Sequence, residues 1–363
     1  MIPLRLKAQV PPIAEPLVLR LRETNAKDFD LDKDAIMLGE DNGWRDYDYC
    51  GFSLRIKVAP SESLDGDVLL AVPRRASVHR LIRSRSRHNT LLITEQCDQL
   101  CVMCSQPPKA GHSDLFPQFK EAVLLAPSDA TIGLSGGEPL LYKAQLFDLI
   151  EKALTNRPDL RFHVLTNGQH FEPGDEEWLR QVARDHVLWG IPLYAPTAGD
   201  HDAIVGKDGA FERLMQSMTI VAAGGARIEL RTVVTARNVH CLAGLANLIT
   251  TALPFCSSWA VMQLEPIGFG RMNWEALFHD NSVDFEPIAR AMNIALARGV
   301  DVALFNFPLC TVPEEYRRFA PATISDWKQK FLGPCTGCSL RAHCGGFFEW
   351  YDPNRGFAHL GLS

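Results

Sequence analysis

The most chemically distinctive feature of this 363-residue chain is a group of three cysteines within eight residues: Cys97, Cys101 and Cys104. This spacing lets three thiolates converge on one centre from a single loop. Three ligands are one fewer than a closed tetrahedral site needs, so a metal ion or iron–sulfur cluster bound here keeps an open position. Zinc ribbons ordinarily use two C-x2-C pairs, and the next such pair lies more than 200 residues away. The pattern therefore favours an iron–sulfur cluster.

A glycine-rich segment with one carboxylate follows the next apolar run of the sequence. Its residues are Gly136, Gly137, Glu138 and Pro139. Two adjacent glycines allow the backbone to approach a ligand closely, and a glutamate can accept hydrogen bonds from an ammonium group. Taken alone, the segment is equally compatible with an ordinary turn.

A second cysteine group, C-x2-C-x5-C, lies near the end of the sequence at Cys335, Cys338 and Cys344. A structural zinc knuckle and a second iron–sulfur centre are both open interpretations. Cys310 is the best candidate for a fourth ligand, because it precedes the group within the same region. With Cys310 the site would be closed and would serve structure or electron transfer. Without it, an open iron could bind substrate directly.

Apolar strands and amphipathic helices alternate from residue 89 onward. Strands are predicted at residues 91–94, 130–135, 162–165, 187–193, 228–234 and 259–264, and helices at 118–125, 143–154, 176–184, 211–223, 240–251 and 286–298. This order is typical of a parallel sheet with right-handed crossovers. We therefore predict an α/β fold, a partial (β/α)6 TIM-type barrel, with a doubly wound open sheet as the alternative. An active site is expected at the carboxyl ends of its strands.

Three regions are predicted along the chain. Residues 1–88 form a small N-terminal β-rich accessory domain with strands at 17–22, 52–58 and 67–72, residues 89–304 form the partial barrel, and residues 305–363 carry the second cysteine group. A basic run at residues 74–87 has a helical pattern. Such a run is usually a solvated face, and less often it lies beside an anionic ligand.

Composition favours a cytoplasmic protein. The opening residues lack a continuous apolar core of the signal-peptide kind, and no segment approaches the length of a membrane span. Ten cysteines in such a chain indicate a reducing compartment, where metal and redox chemistry is favoured over disulfides. The formal net charge of −6 gives no reason to expect a nucleic-acid partner.

The C-x3-C-x2-C spacing closely resembles that of the radical S-adenosylmethionine (SAM) superfamily, as do the Gly-Gly-Glu-Pro segment and the Thr-Asn-Gly sequence at residues 166–168. The resemblance implies that the three cysteines bind a 4Fe–4S cluster whose fourth iron binds SAM. Reduction then cleaves SAM to a 5′-deoxyadenosyl radical, which abstracts a hydrogen atom from the substrate. The SAM-binding residues implied are Gly136, Gly137, Glu138, Pro139, Asn167 and Arg231.

Some of these assignments depart from the family pattern or rest on position alone. Arg231 could pair with the SAM carboxylate, but a structural salt bridge is equally compatible. Met103 replaces an aromatic residue that usually packs on the adenine, and methionine can substitute in such packing. Pro192 stands where many relatives have a serine that touches SAM, so the ribose contacts must differ. Candidate proton-handling groups, chosen only by position, are Asp98, Tyr194 and Glu265.

The C-terminal cysteine group resembles the SPASM or twitch extension of peptide-modifying radical SAM enzymes. It is truncated, because Phe348 stands where the SPASM pattern continues with cysteine. The resemblance implies a second, auxiliary 4Fe–4S cluster on Cys335, Cys338 and Cys344, with Cys310 as the candidate fourth ligand.

Stretches such as CVMCSQPPK and FNFPLC resemble the His-Xaa-Ser system radical SAM maturases (HxsC type). That resemblance implies a ribosomally made precursor peptide as substrate, an external electron donor of the flavodoxin or ferredoxin type, and a second radical SAM maturase as a further partner. Two alternatives stay open. One is a radical SAM enzyme that acts on a nucleotide or other small molecule, and the other is a non-catalytic iron–sulfur or zinc-binding module.

Overall fold

Alternating apolar and polar residues close the N-terminal region into a barrel. The computed structural model describes residues 2–23 and 29–360. Its first seven strands pair in the order β1-β5-β4-β3-β2-β6-β7, with β7 returning to β1, and all neighbours are antiparallel except β2 and β3. They are β1 (Arg5–Gln9), β2 (Leu17–Arg22), β3 (Asp34–Asp41), β4 (Trp44–Tyr49), β5 (Phe52–Lys57), β6 (Val68–Ala71) and β7 (Ser77–Ile82). Inward side chains such as Leu21, Tyr47 and Ile56 are fully buried and form the barrel core.

The basic run at residues 74–87 is not helical, so that expectation was wrong. Its centre is strand β7, in which Val78, Arg80 and Ile82 are buried and alternate with more exposed residues, a period of two. Arg80 is tolerated inside because its guanidinium binds two carboxylates, those of Glu62 and Asp67. Because a polar residue occupies an inward position, the two-residue alternation of apolar side chains typical of a strand is not visible in this part of the sequence.

A parallel sheet of seven strands follows, with neighbours in the same order as in the sequence. Its strands are β8 (Asn89–Thr94), β9 (Thr131–Gly136), β10 (Arg161–Leu165), β11 (Val187–Pro192), β12 (Arg227–Val233), β13 (Ser258–Met262) and β14 (Val302–Phe305). The first and last strands, β8 and β14, do not pair with each other, so the barrel is partial. The sheet has one strand more than the predicted six, because the short segment Val302–Phe305 pairs in parallel with β13.

Helices between these strands supply the apolar faces that cover the sheet. They are α1 (Phe116–Leu124), α2 (Lys143–Asn156), α3 (Glu176–Trp178), α4 (Ala198–Val205), α5 (Ala210–Ala223), α6 (Leu242–Ala252), α7 (Gly268–Met272), α8 (Trp274–Leu277) and α9 (Glu286–Ala297). Most of their buried residues form one core with those of the strands, whereas the buried residues of α4 and α8 belong to a separate apolar cluster. In the portion of the chain that is described, no helix is long and apolar enough to cross a membrane.

One face of the parallel sheet is closed and the other is partly open. On β12, Ile228, Leu230 and Thr232 are at most 1% exposed, whereas the intervening Arg231 and Val233 are only half-buried. Because successive side chains of a strand point to opposite faces, the half-buried set marks the open face.

The C-terminal residues form short 3-10 turns and a two-stranded antiparallel sheet. Its strands are β15 (Gln329–Lys330) and β16 (Phe347–Phe348). Asp326 in this region binds Arg83, which directly follows the N-terminal barrel, through two N–O contacts of 2.7 Å. The C-terminal region is thereby joined to a residue close to the opposite end of the chain.

Candidate functional site

The first cysteine group lies on the loop that leaves the carboxyl end of β8, and all three cysteine residues are partly exposed. Burial raises the pKa of Cys97 to about 11 and also raises the pKa values of Cys101 and Cys104. At Cys101 the charges of the other two thiols raise the pKa further, so the three side chains lie within electrostatic range of one another. Binding of a metal would displace the thiol protons.

Within residues 2–23 and 29–360, no group of three or more His, Cys, Asp or Glu side chains converges as the ligands of one metal ion. In a 4Fe–4S cluster each thiolate binds a different iron, which calls for a wider arrangement than a single ion does. The donor set itself fits such a cluster: three soft sulfur ligands on one loop, each on a partly exposed residue.

The two glycines of the Gly-Gly-Glu-Pro segment bring its backbone against the stem of the cysteine loop. The Gly137 N–H donates to the Thr94 carbonyl at 2.8 Å, and the Glu138 N–H donates to the Gln96 carbonyl at 2.7 Å. A Cβ atom on Gly136 would lie 2.1 Å from the Thr94 oxygen, and one on Gly137 would lie 2.0 Å from the Gln96 oxygen. No other residue fits. The close approach expected from the sequence is therefore made to protein backbone next to Cys97.

Glu138 is fully buried and accepts three hydrogen bonds from the protein. Its Oε1 accepts from the Leu140 N–H at 2.8 Å and the Thr166 hydroxyl at 2.6 Å, and its Oε2 accepts from the Asn167 N–H at 2.5 Å. Burial raises the pKa of Glu138, and these hydrogen bonds oppose the rise. The carboxylate thus ties the end of β9 to the end of β10, which leaves about one of its four lone-pair positions for a ligand.

Asn167 and Asp98 connect this arrangement to the cysteine loop. The Asn167 Nδ2 donates to Asp98 Oδ1 at 2.8 Å, and Asp98 Oδ2 binds the Lys207 ammonium and lies 3.3 Å from His170 Nε2. Burial alone would raise the pKa of Asp98, but hydrogen bonds from His170 and Lys207 hold it well below its usual range. A carboxylate kept ionised in this way anchors the loop between Cys97 and Cys101. Lys207 and His170 were not predicted as partners of Asp98, since neither lies near it in the sequence.

Arg231 forms the structural salt bridge that was one of its two interpretations. Its Nη1 lies 2.5 Å from Glu229 Oε1, and His163 Nε2 lies 3.4 Å from the same oxygen. Gly190 makes room for this group, because a Cβ there would lie 2.9 Å from His163 Nε2 and 3.0 Å from Arg231 Cδ. The charged group lies on the open face of the sheet, and Arg231 stays partly exposed there.

Tyr194 and Met103 pack in one apolar cluster beside Cys101. Tyr194 is 9% exposed, and burial raises the pKa of its phenol. Met103 is 6% exposed and contributes to the core. These positions place both side chains next to the cysteine loop, and the raised pKa favours the protonated phenol.

Glu265, the other residue proposed for proton handling, binds the C-terminal region. Both of its carboxylate oxygens lie 3.2 Å from the Lys328 ammonium. The Lys328 Nζ also lies 5.1 Å from the centre of the Phe348 ring. This geometry gives Glu265 a structural contact that links the end of β13 to the region of the second cysteine group.

One backbone hydrogen bond to sulfur joins the second cysteine group to the residue beside Cys310, and a second is local to the group. The Leu309 N–H donates to Cys344 Sγ at 3.4 Å, and the Gly346 N–H donates to the same atom at 3.3 Å. Burial raises the pKa of Cys310 to about 12, and the charges of Cys344, Cys335 and Cys338 raise it further. All four thiols are therefore within electrostatic range. Cys310 and Cys335 pack against the same aromatic cluster, which consists of Phe347, Tyr351 and Phe357.

Comparison with known proteins matches residues 91–243 to the family model of the radical SAM superfamily. The mycofactocin maturase MftC of Mycobacterium tuberculosis is 30% identical over 190 residues, which cover 51% of this chain and 46% of that protein. The AdoMet-dependent heme synthase of Oleidesulfovibrio alaskensis is 24% identical over 184 residues, which cover 48% and 45%. The chain thus spans less than half the length of these curated relatives. Streptococcus suis SuiB bound to S-adenosylmethionine aligns with 61% of this chain and 51% of its own, at 13% identity and a TM-score of 0.49.

Proposed function

Because residues 91–243 match the family model of the radical SAM superfamily, we propose that this protein is a radical SAM enzyme that modifies a ribosomally made peptide by hydrogen-atom abstraction. The observation that carries the proposal is the junction between the cysteine loop and the Gly-Gly-Glu-Pro segment. Two backbone hydrogen bonds, from Gly137 to Thr94 and from Glu138 to Gln96, hold the two motifs side by side at the carboxyl end of the sheet.

In this proposal Cys97, Cys101 and Cys104 bind a 4Fe–4S cluster and leave one iron for SAM. When bound and reduced, the cluster with SAM supplies the 5′-deoxyadenosyl radical that the resemblance implies. The chain's own residues orient the cofactor. Residues 136–139 with Asn167 line the SAM site. The salt bridge with Glu229 holds the Arg231 guanidinium on the open face of the sheet.

Asp98 and Glu138 act as positioning residues in this mechanism. Asp98 holds the Asn167 amide while its other oxygen binds Lys207, so the cysteine loop cannot move independently of β10 and α4. Glu138 fixes the backbone of Asn167 by accepting its N–H. A rigid site of this kind orients a reactive group and excludes water.

A peptide substrate is supported by the relative that is named a maturase and by the stretches that resemble His-Xaa-Ser system enzymes. The partners proposed are therefore a precursor peptide with His-Xaa-Ser repeats, a flavodoxin-type or ferredoxin-type electron donor and a second radical SAM maturase. The relative named as a heme synthase favours the second candidate, a radical SAM enzyme that acts on a small molecule.

We also propose a second, auxiliary 4Fe–4S cluster on Cys310, Cys335, Cys338 and Cys344. The bond from the Leu309 N–H to Cys344 Sγ supports this assignment, because it brings the residue beside Cys310 to the C-x2-C-x5-C group. Four thiolates would close the coordination, so this centre would serve structure or electron transfer.

The test is anaerobic reconstitution with iron and sulfide, followed by incubation with SAM and a strong reductant. We expect 5′-deoxyadenosine from the wild type, and from Cys50→Ser, whose exposed thiol lies outside both cysteine groups. Cys101→Ser should form none. Absence of 5′-deoxyadenosine from a wild-type sample with measured cluster content would overturn the proposal. Mass spectrometry of a co-expressed His-Xaa-Ser peptide then decides the substrate class, since an unmodified peptide would favour the small-molecule candidate.

A further inference from the structure

One outer face of the N-terminal barrel carries a concentration of cations, although the chain as a whole is acidic with a net charge of −6. We call it the basic face. Its exposed members are Arg5, Lys7, Lys57, Arg74 and Arg75. Strand register brings them together: Arg5 is opposite His79 between β1 and β7, and Trp44 is opposite Lys57 between β4 and β5.

Trp44 is the centre of the basic face. The Lys7 Nζ lies 5.9 Å, the Lys57 Nζ 6.0 Å and the Arg55 Cζ 5.8 Å from the centre of its ring. Three cations around one aromatic ring repel one another, and like charges on adjacent strands destabilise a sheet. This arrangement has a cost in the free protein that a bound anion would offset.

Two carboxylates lie beside the basic face, because Asp41 is opposite Trp44 between β3 and β4 and Asp46 is opposite Arg55 between β4 and β5. Among the described residues, Asp46 forms an ion pair with Arg55 at 2.5 Å, and none is formed by Lys7, Lys57, Arg74 or Arg75. The positive charge of the basic face affects His79. Its pKa is lowered first by burial and then by the charges of Arg5 and Arg75.

The basic run at residues 74–87 is therefore divided between two roles. Arg80 and Arg83 are buried and bind carboxylates, so they are structural. Arg74 and Arg75 lie on the turn before β7 and are exposed. Neither forms an ion pair with a carboxylate of the described residues. Arg74 has φ of +61°, a left-handed conformation that is unfavourable for residues other than glycine. Backbone strain and unpaired charge together mark this turn as a binding element.

We propose that the basic face binds an acidic segment of the precursor peptide, a role that rests on the proposed function as a peptide-modifying enzyme. The four adjacent strands β7, β1, β5 and β4 span about 14 Å. An extended peptide crosses that width with about four residues, so a short run of Asp or Glu can reach the cations while one side chain packs on Trp44. A nucleic acid fits less well, because the net charge of −6 repels a long polyanion. Binding here would raise the local concentration of the segment to be modified.

The experiment measures fluorescence anisotropy of short labelled peptides with the full-length protein, without SAM. A peptide of alternating Glu and Ser should bind, with an affinity that falls as salt is raised, and its Gln and Ser counterpart should not. Lys7→Glu with Lys57→Glu should weaken binding about tenfold or more, since two attractions become repulsions. Lys7→Arg with Lys57→Arg keeps the charge and should retain binding. The matched control is Arg85→Glu with Arg87→Glu, two exposed arginines away from the basic face, which should leave binding unchanged.

Any of three results would overturn the inference. The Gln peptide binds as well as the Glu peptide, the variant with Lys7→Glu and Lys57→Glu binds the Glu peptide without loss of affinity, or a single-stranded oligonucleotide of the same charge binds more tightly than the peptide. Circular dichroism of each variant checks that the barrel is folded. Because 5′-deoxyadenosine formation is measured without any peptide, a failure of this inference is distinguishable from a failure of the proposed function.

Discussion

A single buried carboxylate, that of Glu138, determines how two strand ends meet at the candidate site. It has no exposed surface, and its three donors come from two separate segments, Leu140 beside it and Thr166 with Asn167 at the end of β10. A buried carboxylate without such donors would be costly, so the donors and the acceptor stabilise one another. This explains structurally why a glutamate, rather than an apolar residue, occupies the position.

Glu138→Gln should therefore lower the free energy of unfolding of the reduced, metal-free protein by about 1 to 3 kcal/mol. The new amide replaces one acceptor by a donor, which then faces a buried N–H or O–H group. Urea unfolding followed by circular dichroism measures the change. The control is Glu151→Gln on an exposed position of α2, for which we expect a change within about 0.5 kcal/mol. Equal stability of the two variants would contradict this account of Glu138.

At the scale of elements, the contact between the Gly-Gly-Glu-Pro segment and the loop stem is made by backbone on both sides. Because Gly136 and Gly137 have no side chain, the end of β9 can pack directly against Thr94 and Gln96. The cysteine loop begins one residue later, so its starting direction depends on this contact. The position of the thiols is thus determined by a segment more than 30 residues further along the chain.

Gly137→Ala should displace the start of the cysteine loop, because the new Cβ would lie 2.0 Å from the Gln96 oxygen. We expect a loss of about 1 to 3 kcal/mol of stability, the usual range for overpacking, and a lower iron content after anaerobic reconstitution. Gly111→Ala is the matched control, because nothing lies within 4 Å of its Cβ position. Unchanged iron content in Gly137→Ala would show that the loop does not depend on this glycine.

Elements with a regular apolar period could be predicted from the sequence. Helix α2 begins at Lys143 and β10 ends at Leu165, as the pattern indicated, because local burial determines both. Strand β7 could not be recognised, since its inward Arg80 depends on carboxylates that fold close to it. Helix α4 (Ala198–Val205) was not predicted, and its weak amphipathic pattern explains why.

The site was predictable only where its residues are close in sequence. The three cysteines and the Gly-Gly-Glu-Pro segment are visible as motifs, but the bonds from Asp98 to Lys207 and from Glu265 to Lys328 follow from the tertiary fold. Asp98 and Lys207 are 109 positions apart in the sequence, and no local pattern signals contacts of this kind.

At the scale of the whole molecule, side-chain contacts join the C-terminal region to earlier parts of the chain, and three of them involve well-separated elements. Asp326 binds Arg83, Lys328 binds Glu265, and the Trp274 indole N–H donates to the Arg355 carbonyl at 2.7 Å. Arg83 is 8% exposed, its Nη1 and Nη2 each donate to Asp326, and its Nε has no hydrogen-bond partner among the described residues. The second cysteine group is held in place by these distant residues.

Asp326→Asn should destabilise the protein by about 1 to 2 kcal/mol at neutral pH, because it leaves a nearly buried guanidinium without a charged partner. The hydrogen bond from Arg83 lowers the pKa of Asp326. The stabilisation is therefore present above the ordinary aspartate pKa of about 4 and is lost as the pH falls below it. Urea unfolding at neutral and acidic pH should show a difference that narrows in acid. Glu315→Gln, an exposed change in the same region, should show no difference at either pH. A difference that persists unchanged in acid would rule out the ion pair as its cause.

The pairing of Arg83 with Asp326 also has a consequence for biosynthesis. All seven strands of the N-terminal barrel precede Arg83, whereas its partner is translated 243 positions later. At roughly 5 to 20 residues per second, a ribosome needs about 12 to 50 s to bridge that interval. During this time the barrel has every strand it requires, but the guanidinium beside it stays hydrated. Closure of this junction is therefore a late event of vectorial folding.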